Sequence, residues 1–311
     1  MAINRVEIND FLVFKDEFAV NFCPGVNVLI GSNGTGKTTL LKLLFWYAKY
    51  GKYKDWETNS ESHSKFVGME HIFGVSPELI RLHKFPKIDC HDDEKVIYIP
   101  EKDIFEHAKG LLPFIDQKST GFSWLYKDAL IRAQDIPTKT KTDIQKKIED
   151  KISFITGGYM EWVPSEGIYY TVRKDAMRIP FSIEASGFKK LGFLGLLVMS
   201  GQLEPGTILL WDEPENSLNP KLASNLVDIL FDLSNSGVQI ILATHSEIFA
   251  SYLAVDRKNE DDVLFISLYQ DNGRIKANSS TRFDLLEPNN LTAEPAKLYE
   301  KEIEKGLGGN G

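Results

Sequence analysis

The sequence is short of the features that mark a secreted or membrane-bound chain. Its 311 residues hold two cysteines, Cys23 and Cys90, which cannot build a disulfide framework and point to a reduced, cytoplasmic protein. No apolar run reaches the roughly eighteen residues of a membrane span. The opening Met1-Ala2-Ile3-Asn4-Arg5-Val6-Glu7 alternates like a strand and lacks a signal peptide's apolar stretch. Positive charge is also scarce: the net charge is −8, so a DNA contact must come from a local basic patch. Internal repeats and long heptad regions are missing as well. Secreted scaffold, membrane protein and histone-like binder are therefore set aside.

What is present is an apolar fraction of 42%, enough for one large α/β core. Ile3 to Ile8 and Phe18 to Phe22 alternate as strands, and Val26-Asn27-Val28-Leu29-Ile30 is a buried-strand run. Further buried strands are expected at Val96–Ile99, Thr207–Trp211 and Val238–Ala243. Helices are expected at Thr38–Trp46, Gly187–Ser200 and Leu222–Leu233. Strands alternating with helices argue a largely parallel sheet. Between about 104 and 156 the period is helical, with Ile144, Ile148, Ile152 and Ile155 on one face. Tyr159–Val163, Ile168–Arg173 and Arg178–Ile183 read as antiparallel strands. The expected organisation is one domain: a nucleotide-binding core lobe over 1–103 and 178–290, and an inserted helical and hairpin lobe over 104–177. Residues about 50–94 read as an irregular insertion, and the tail after Asn289 as mixed and frayed.

Gly31-Ser32-Asn33-Gly34-Thr35-Gly36-Lys37-Thr38 matches G-x-x-x-x-G-K-[ST], with a buried strand before it and a helix after it. Backbone N–H groups from Asn33 to Thr39, at a helix N-terminus, suit a phosphate chain. Lys37 supplies a point charge between phosphates, and the Thr38 hydroxyl suits Mg²⁺. Thr207-Ile208-Leu209-Leu210-Trp211-Asp212-Glu213-Pro214-Glu215 is an apolar strand ending in acids, placing Asp212 as metal ligand and Glu213 as general base. His245 ends the last buried strand, where it can meet the γ-phosphate. Ser186-Gly187 stands ahead of a buried helix, with Ser186 read as its N-cap and the N–H groups of Gly187, Phe188 and Lys189 as an anion site.

Together these motifs resemble the ABC-type P-loop ATPases. Asp212-Glu213-Pro214 looks like Walker B with its catalytic glutamate. Asn216-Ser217-Leu218-Asn219-Pro220 looks like the D-loop, and Thr244-His245-Ser246 like the switch histidine. Val96-Ile97-Tyr98-Ile99-Pro100-Glu101 is similar to the strand leading to the Q-loop, with Glu101 in place of the glutamine that approaches the metal. Ala185-Ser186-Gly187-Phe188-Lys189-Lys190 keeps two residues of the signature segment. The opening Asn9-Asp10-Phe11 to Gly31 and the Asp-Glu-Pro-Glu run are similar to the SMC, RecF and OLD-like branch, without a TOPRIM domain or a coiled-coil arm.

The resemblance implies a mixed β-sheet core with N-terminal antiparallel strands and an inserted helical lobe. It also implies a Mg²⁺-dependent ATPase that forms a homodimer around ATP and gates a separate effector, a nuclease or toxin, in DNA maintenance or defence against phage or plasmids. An ATP-binding transporter subunit and a non-hydrolysing ATP-sensing scaffold are the alternatives. Three weaker signals complete the sequence. Asp89-Cys90-His91-Asp92-Asp93 has metal-ligand types without a spaced partner. Tyr53, Trp56 and Phe66 stand among lysines. Lys139, Lys141, Lys146, Lys147 and Lys151 form a basic stripe that leaves a DNA contact open.

Overall fold

The computed structural model describes residues 2–50, 72–73, 87–89, 95–102, 105, 108–115 and 123–308. The chain opens with β1 (Arg5–Phe11), β2 (Phe14–Asn21), β3 (Val26–Ile30), α1 (Lys37–Tyr50), β4 (Lys87–Asp89) and β5 (Lys95–Ile99). Then come α2 (Ala108–Ile115), α3 (Trp124–Ala133), α4 (Asp143–Thr156), β6 (Gly158–Val163), β7 (Ile168–Arg173), β8 (Arg178–Pro180) and α5 (Ser186–Met199). The remainder is β9 (Thr207–Asp212), α6 (Pro220–Asn235), β10 (Gln239–Thr244), α7 (Glu247–Asp256), β11 (Val263–Asp271), β12 (Arg274–Ser280) and α8 (Asn290–Gly308).

A six-stranded sheet in the order β12-β11-β3-β10-β9-β5 forms the centre, parallel except for the β11–β12 hairpin. Its inner strands are apolar at nearly every position because both faces are covered. Val26, Val28 and Ile30 face a core built with α4 to α7, whereas Leu29 faces a second core with α1 and the β2-β1-β4 sheet. Asn27 is the polar exception. Its side-chain oxygen accepts from Cys23 N (2.8 Å), and its amide donates to Cys23 O (2.9 Å) and Ile240 O (3.2 Å). With its hydrogen bonds satisfied, a buried amide fixes β3 against β10 at little cost.

The expected α4 face holds: Ile148 and Ile152 are buried, with Ile144 and Ile155 packed at the edge. A capping box of Thr142 and Gln145 starts the helix, and Gly157 at φ 75° ends it. α5 lies close against α4 and β6, and a Cβ at Gly192 would fall 2.2 Å from Met160 Cγ. The β6-β7-β8 sheet is antiparallel as expected. It ends at Pro180 rather than Ile183, because Ile183 N and Glu184 N turn back to Pro180 O and Phe181 O. β8 pairs with β7 across the boundary between 177 and 178 at which the sequence divides the lobes.

Two regions depart from the sequence reading. The tail, expected to be mixed and frayed, forms α8 over nineteen residues with Pro295 inside it. The β11–β12 hairpin turns at Asn272-Gly273 with φ 50° and 78°, the Asn-Gly chemistry of a two-residue turn.

Candidate nucleotide site

Strand register builds the site. Thr244 lies opposite Ile30 and Ala243 opposite Asp212. The turn after β3, the acids after β9 and the histidine after β10 therefore share the C-terminal edge of the parallel strands, where open α/β sheets place ligands.

The phosphate turn needs its glycines for space and for backbone angle. A Cβ at Gly31 would lie 2.3 Å from Leu268 O, and one at Gly36, at φ 90°, 2.8 Å from the Phe14 ring. Gly34 and Asn33 are exposed at the tip, and Thr35 folds inward with its hydroxyl donating to Ser32 O at 2.9 Å. α1 starts at Lys37, so Lys37, Thr38 and Thr39 occupy its first turn, where N–H groups point out of the helix. Lys37 is buried, and its ammonium donates to Gly31 O (2.6 Å) and Ser32 O (3.1 Å). Burial lowers its pKa to about 8, against the pull of Asp212 and Glu213.

Four carboxylates crowd the other side. Asp212 is buried and accepts hydrogen bonds from the Thr38 hydroxyl and, at 3.3 Å, from Tyr98 Oη. Burial raises its pKa, and the charge of Glu101 raises it further. Glu213 is raised too, by burial first and then by Glu101, Asp212 and Glu215. Its φ of 48° is left-handed, a strained angle for a residue with a side chain. The strain is held by Glu213 N donating to Ala243 O (2.9 Å) and by the buried Lys190 ammonium donating to Glu213 O (2.9 Å). His245 Nε2 lies 3.2 Å from Glu213 Oε1. Burial and the Lys37 charge lower the His245 pKa, so at neutral pH an uncharged imidazole donates to the carboxylate. Glu101 accepts from Asn216 Nδ2 at 3.4 Å, beside these groups.

The structure thus brings Lys37, Thr38, Asp212, Glu213, His245 and Glu101 together. The capping role expected of Ser186 needs correction. Ala185, not Ser186, is the N-cap of α5, and no side chain caps the helix. Ser186 is its exposed first residue. Gly187 is buried, and a Cβ there would fall 3.0 Å from Leu218 Cδ2 and 3.1 Å from Leu222 Cδ1. Phe188 N and Lys189 N already donate to Ala185 O, so they do not form the expected anion site.

Sequence reading missed Tyr98, Lys42, Lys190 and Glu215. Lys42 is one turn beyond Thr38 and its charge acts on Asp212, a spacing visible in the sequence. Glu215 belongs to the acidic run after β9 but its contacts with Thr244 and His245 are not visible there, and nothing in the sequence signals Tyr98 or Lys190, which the fold brings in from β5 and α5. The basic stripe is largely consumed by ion pairs: Lys141 with Glu149, Lys147 with Asp232, and Lys151 with Asp228 and Asp232. Cys90, His91, Asp92, Asp93, Tyr53, Trp56 and Phe66 lie outside the described residues.

Among the described residues no three of His, Cys, Asp and Glu converge as a metal cage. The Thr38 hydroxyl and Asp212 carboxylate are hard oxygen donors already in contact, the partial set that Mg²⁺ completes with phosphate oxygens and water. Also among the described residues, no helix is long and apolar enough to cross a membrane.

Comparison with known proteins agrees with this geometry. Residues 5–156 match the family model "AAA domain", and residues 123–251 match "AAA domain, putative AbiEii toxin, Type IV TA system". The chain is 30% identical over 94 residues to the L-cystine import ATP-binding protein TcyC of Bacillus subtilis, covering 30% of this chain and 34% of that protein. It is 36% identical over 75 residues to the DNA replication and repair protein RecF of Lactobacillus johnsonii, covering 22% and 19%. These matches span about a third or less of the relatives' length. A solved SMC head bound to the C-winged helix domain of ScpA superposes with a TM-score of 0.52 at 12% identity, over 90% of this chain and 98% of that one. Matched from β1 into α7 by two AAA-domain models, and folded as an SMC head is, the chain is similar to AAA-type P-loop ATPase domains.

Proposed function

We propose that the chain hydrolyses Mg²⁺–ATP, dimerises around the nucleotide and uses that cycle to gate a separate effector protein. The observation that carries this reading is the meeting of Lys37, Thr38, Asp212, Glu213 and His245 on neighbouring strand ends. Lys37 and the first turn of α1 bind phosphate. Thr38 and Asp212 would hold Mg²⁺, which when bound neutralises phosphate charge. Glu213, its pKa raised by burial, accepts the proton of the attacking water. His245 holds that carboxylate and reaches toward the γ-phosphate.

The exposed Ser186 at the head of α5 is then the surface offered to a second copy, with Gly187 anchoring it on the D-loop residue Leu218. A toxin–antitoxin description over 123–251 and a RecF relative support a setting in defence or DNA maintenance, with a nuclease or toxin as effector. The test is phosphate release by the purified chain, with light scattering of Glu213→Gln with and without Mg²⁺–ATP. Turnover in the wild type, and a doubled mass only with Mg²⁺–ATP in the variant, are expected. An absence of turnover together with an unchanged mass contradicts the reading.

The identity with a cystine importer's ATP-binding protein favours a second reading, an ATP-binding subunit of a transporter. Copurification with a multi-span membrane protein would support it over the first.

A further inference from the structure

Glu215 joins two strand ends of the site without belonging to the set proposed to touch nucleotide. Its Oε1 accepts from Thr244 Oγ1 at 2.6 Å and from His245 N at 3.1 Å. Thr244 Oγ1 in turn accepts from Ser246 N at 3.0 Å, and Ser246 caps α7 through Phe249 N. One carboxylate oxygen therefore organises the whole turn that carries the histidine. The other, Oε2, is buried with no hydrogen-bond partner. A half-satisfied buried acid is costly, and packing alone would be served as well by an apolar side chain. Burial raises the Glu215 pKa, while the hydrogen bonds from Thr244 and His245 N and then the charge of Lys190, whose ammonium is bonded to Glu213 O, pull the other way. Left-handed backbone at Glu213 (φ 48°) and Ser217 (φ 66°) brackets the segment, so the turn is strained on both sides of the contact.

We propose that Glu215 is a positioning residue for hydrolysis: its carboxylate clasps the Thr244 hydroxyl and the His245 backbone, and so sets the imidazole against Glu213. The clasp ties the end of β10 to the turn after β9. Lys190 ties that same turn to α5, so three elements are locked around one carboxylate pair. Without the clasp, His245 is free to leave Glu213 while the phosphate turn, on β3 and α1, keeps its own bonds. Misplacement of about 1 Å costs about 10²-fold in rate, whereas ATP affinity rests on groups the clasp does not touch.

The inference rests on the hydrolytic reading, and its test separates the two. Glu215→Ala should lower kcat by about 10- to 100-fold with KM for ATP changed less than about threefold. Glu215→Gln, which keeps an acceptor at Oε1, should restore most of that loss. Thr244→Val removes the donor and should lower kcat in the same way, with Glu215→Ala/Thr244→Val no slower than Glu215→Ala. NMR of the His245 imidazole gives a readout free of turnover, and its resonances should move in both single variants. Unchanged kcat, a rise in KM alone, failure of glutamine to rescue, or unmoved His245 resonances would overturn the clasp. If Glu215→Ala does not fold, Thr244→Val decides by the same criteria. A wild type that hydrolyses no ATP refutes the hydrolytic reading instead, and the His245 resonances still judge the clasp.

Discussion

The face of α4 against α6 and the nucleotide edge of the central sheet solve the same problem in opposite ways. On α4, every charge that approaches α6 finds its opposite: Lys147 meets Asp232 at 2.6 Å, and Lys151 meets Asp228 and Asp232 at 2.5 and 2.6 Å. The pairing holds Asp232 below its ordinary pKa and Lys151 above its own. At the nucleotide edge the charges are mismatched. Asp212, Glu213 and Glu215 are all pushed up, chiefly by burial, and Lys37 is pushed down. Paired charge marks structure; unrelieved charge fits the phosphate and cation proposed for this edge. The lysines that look like a ligand surface in sequence are the satisfied ones.

The comparison is most sharply strained at Glu213. Glu213→Gln removes the proton acceptor and should slow hydrolysis by about 10²–10⁴-fold, while Mg²⁺–ATP binding persists. Single-turnover kinetics with parallel calorimetry checks both halves, and near-normal turnover would move the base elsewhere, with Glu101 next. Lys37→Ala deletes a charge-assisted phosphate contact worth about 1.5–3 kcal/mol, or about 10- to 150-fold in affinity. Calorimetry showing wild-type ATP affinity would rule out the phosphate turn.

The pH dependence of ATP binding gives a smaller effect with a definite sign. The Lys37 ammonium has a pKa of about 8 before phosphate reaches it, and a phosphate chain favours the charged form. Between about pH 8 and 10, ATP binding should therefore take up a proton and weaken as pH rises. Calorimetry at pH 9 in two buffers of different ionisation enthalpy reads that proton directly, and equal heats would contradict the assignment.

The smallest effect is expected at the paired region. Lys151→Met should cost about 1 kcal/mol or less, as partly exposed ion pairs do, and leave ATP binding unchanged. The sign with pH follows from both partners. Asp232 has a depressed folded pKa, so its contribution is present above about pH 4 and lost as pH falls through the folded value. Lys151 has a raised folded pKa, so its contribution is present below about pH 10.5 and lost above. Thermal melts at pH 3 and pH 7 should show a smaller deficit in the variant at pH 3 than at pH 7.

Legibility in the sequence follows the reach of each interaction. Strands such as Val26–Ile30 and Gln239–Thr244, covered on both faces, are buried throughout and apolar at most positions, so they stand out. The phosphate turn is local, since its glycines, lysine and helix are contiguous. Ser186 misled because a serine before an apolar helix is normally its cap, and here the helix begins one residue earlier, against Leu218. Asn272-Gly273 carries its hairpin signal in two adjacent residues. The contacts of Glu215, Lys190 and Tyr98 are illegible for a deeper reason. Each acts through a partner at least 23 positions away in sequence, and in each contact the partner is fixed by strand or helix packing.

The central claim, that the mismatched charge of this edge is answered by a phosphate-bound cation, is tested most directly by calorimetric titration of ATP with and without Mg²⁺ in the wild type and Asp212→Asn. The account predicts tighter binding with Mg²⁺ in the wild type. In Asp212→Asn the Mg²⁺ gain should disappear, while metal-free ATP binds no more weakly than before because one repelling carboxylate is gone. Equal wild-type affinity with and without Mg²⁺, or a full Mg²⁺ gain in Asp212→Asn, would contradict it.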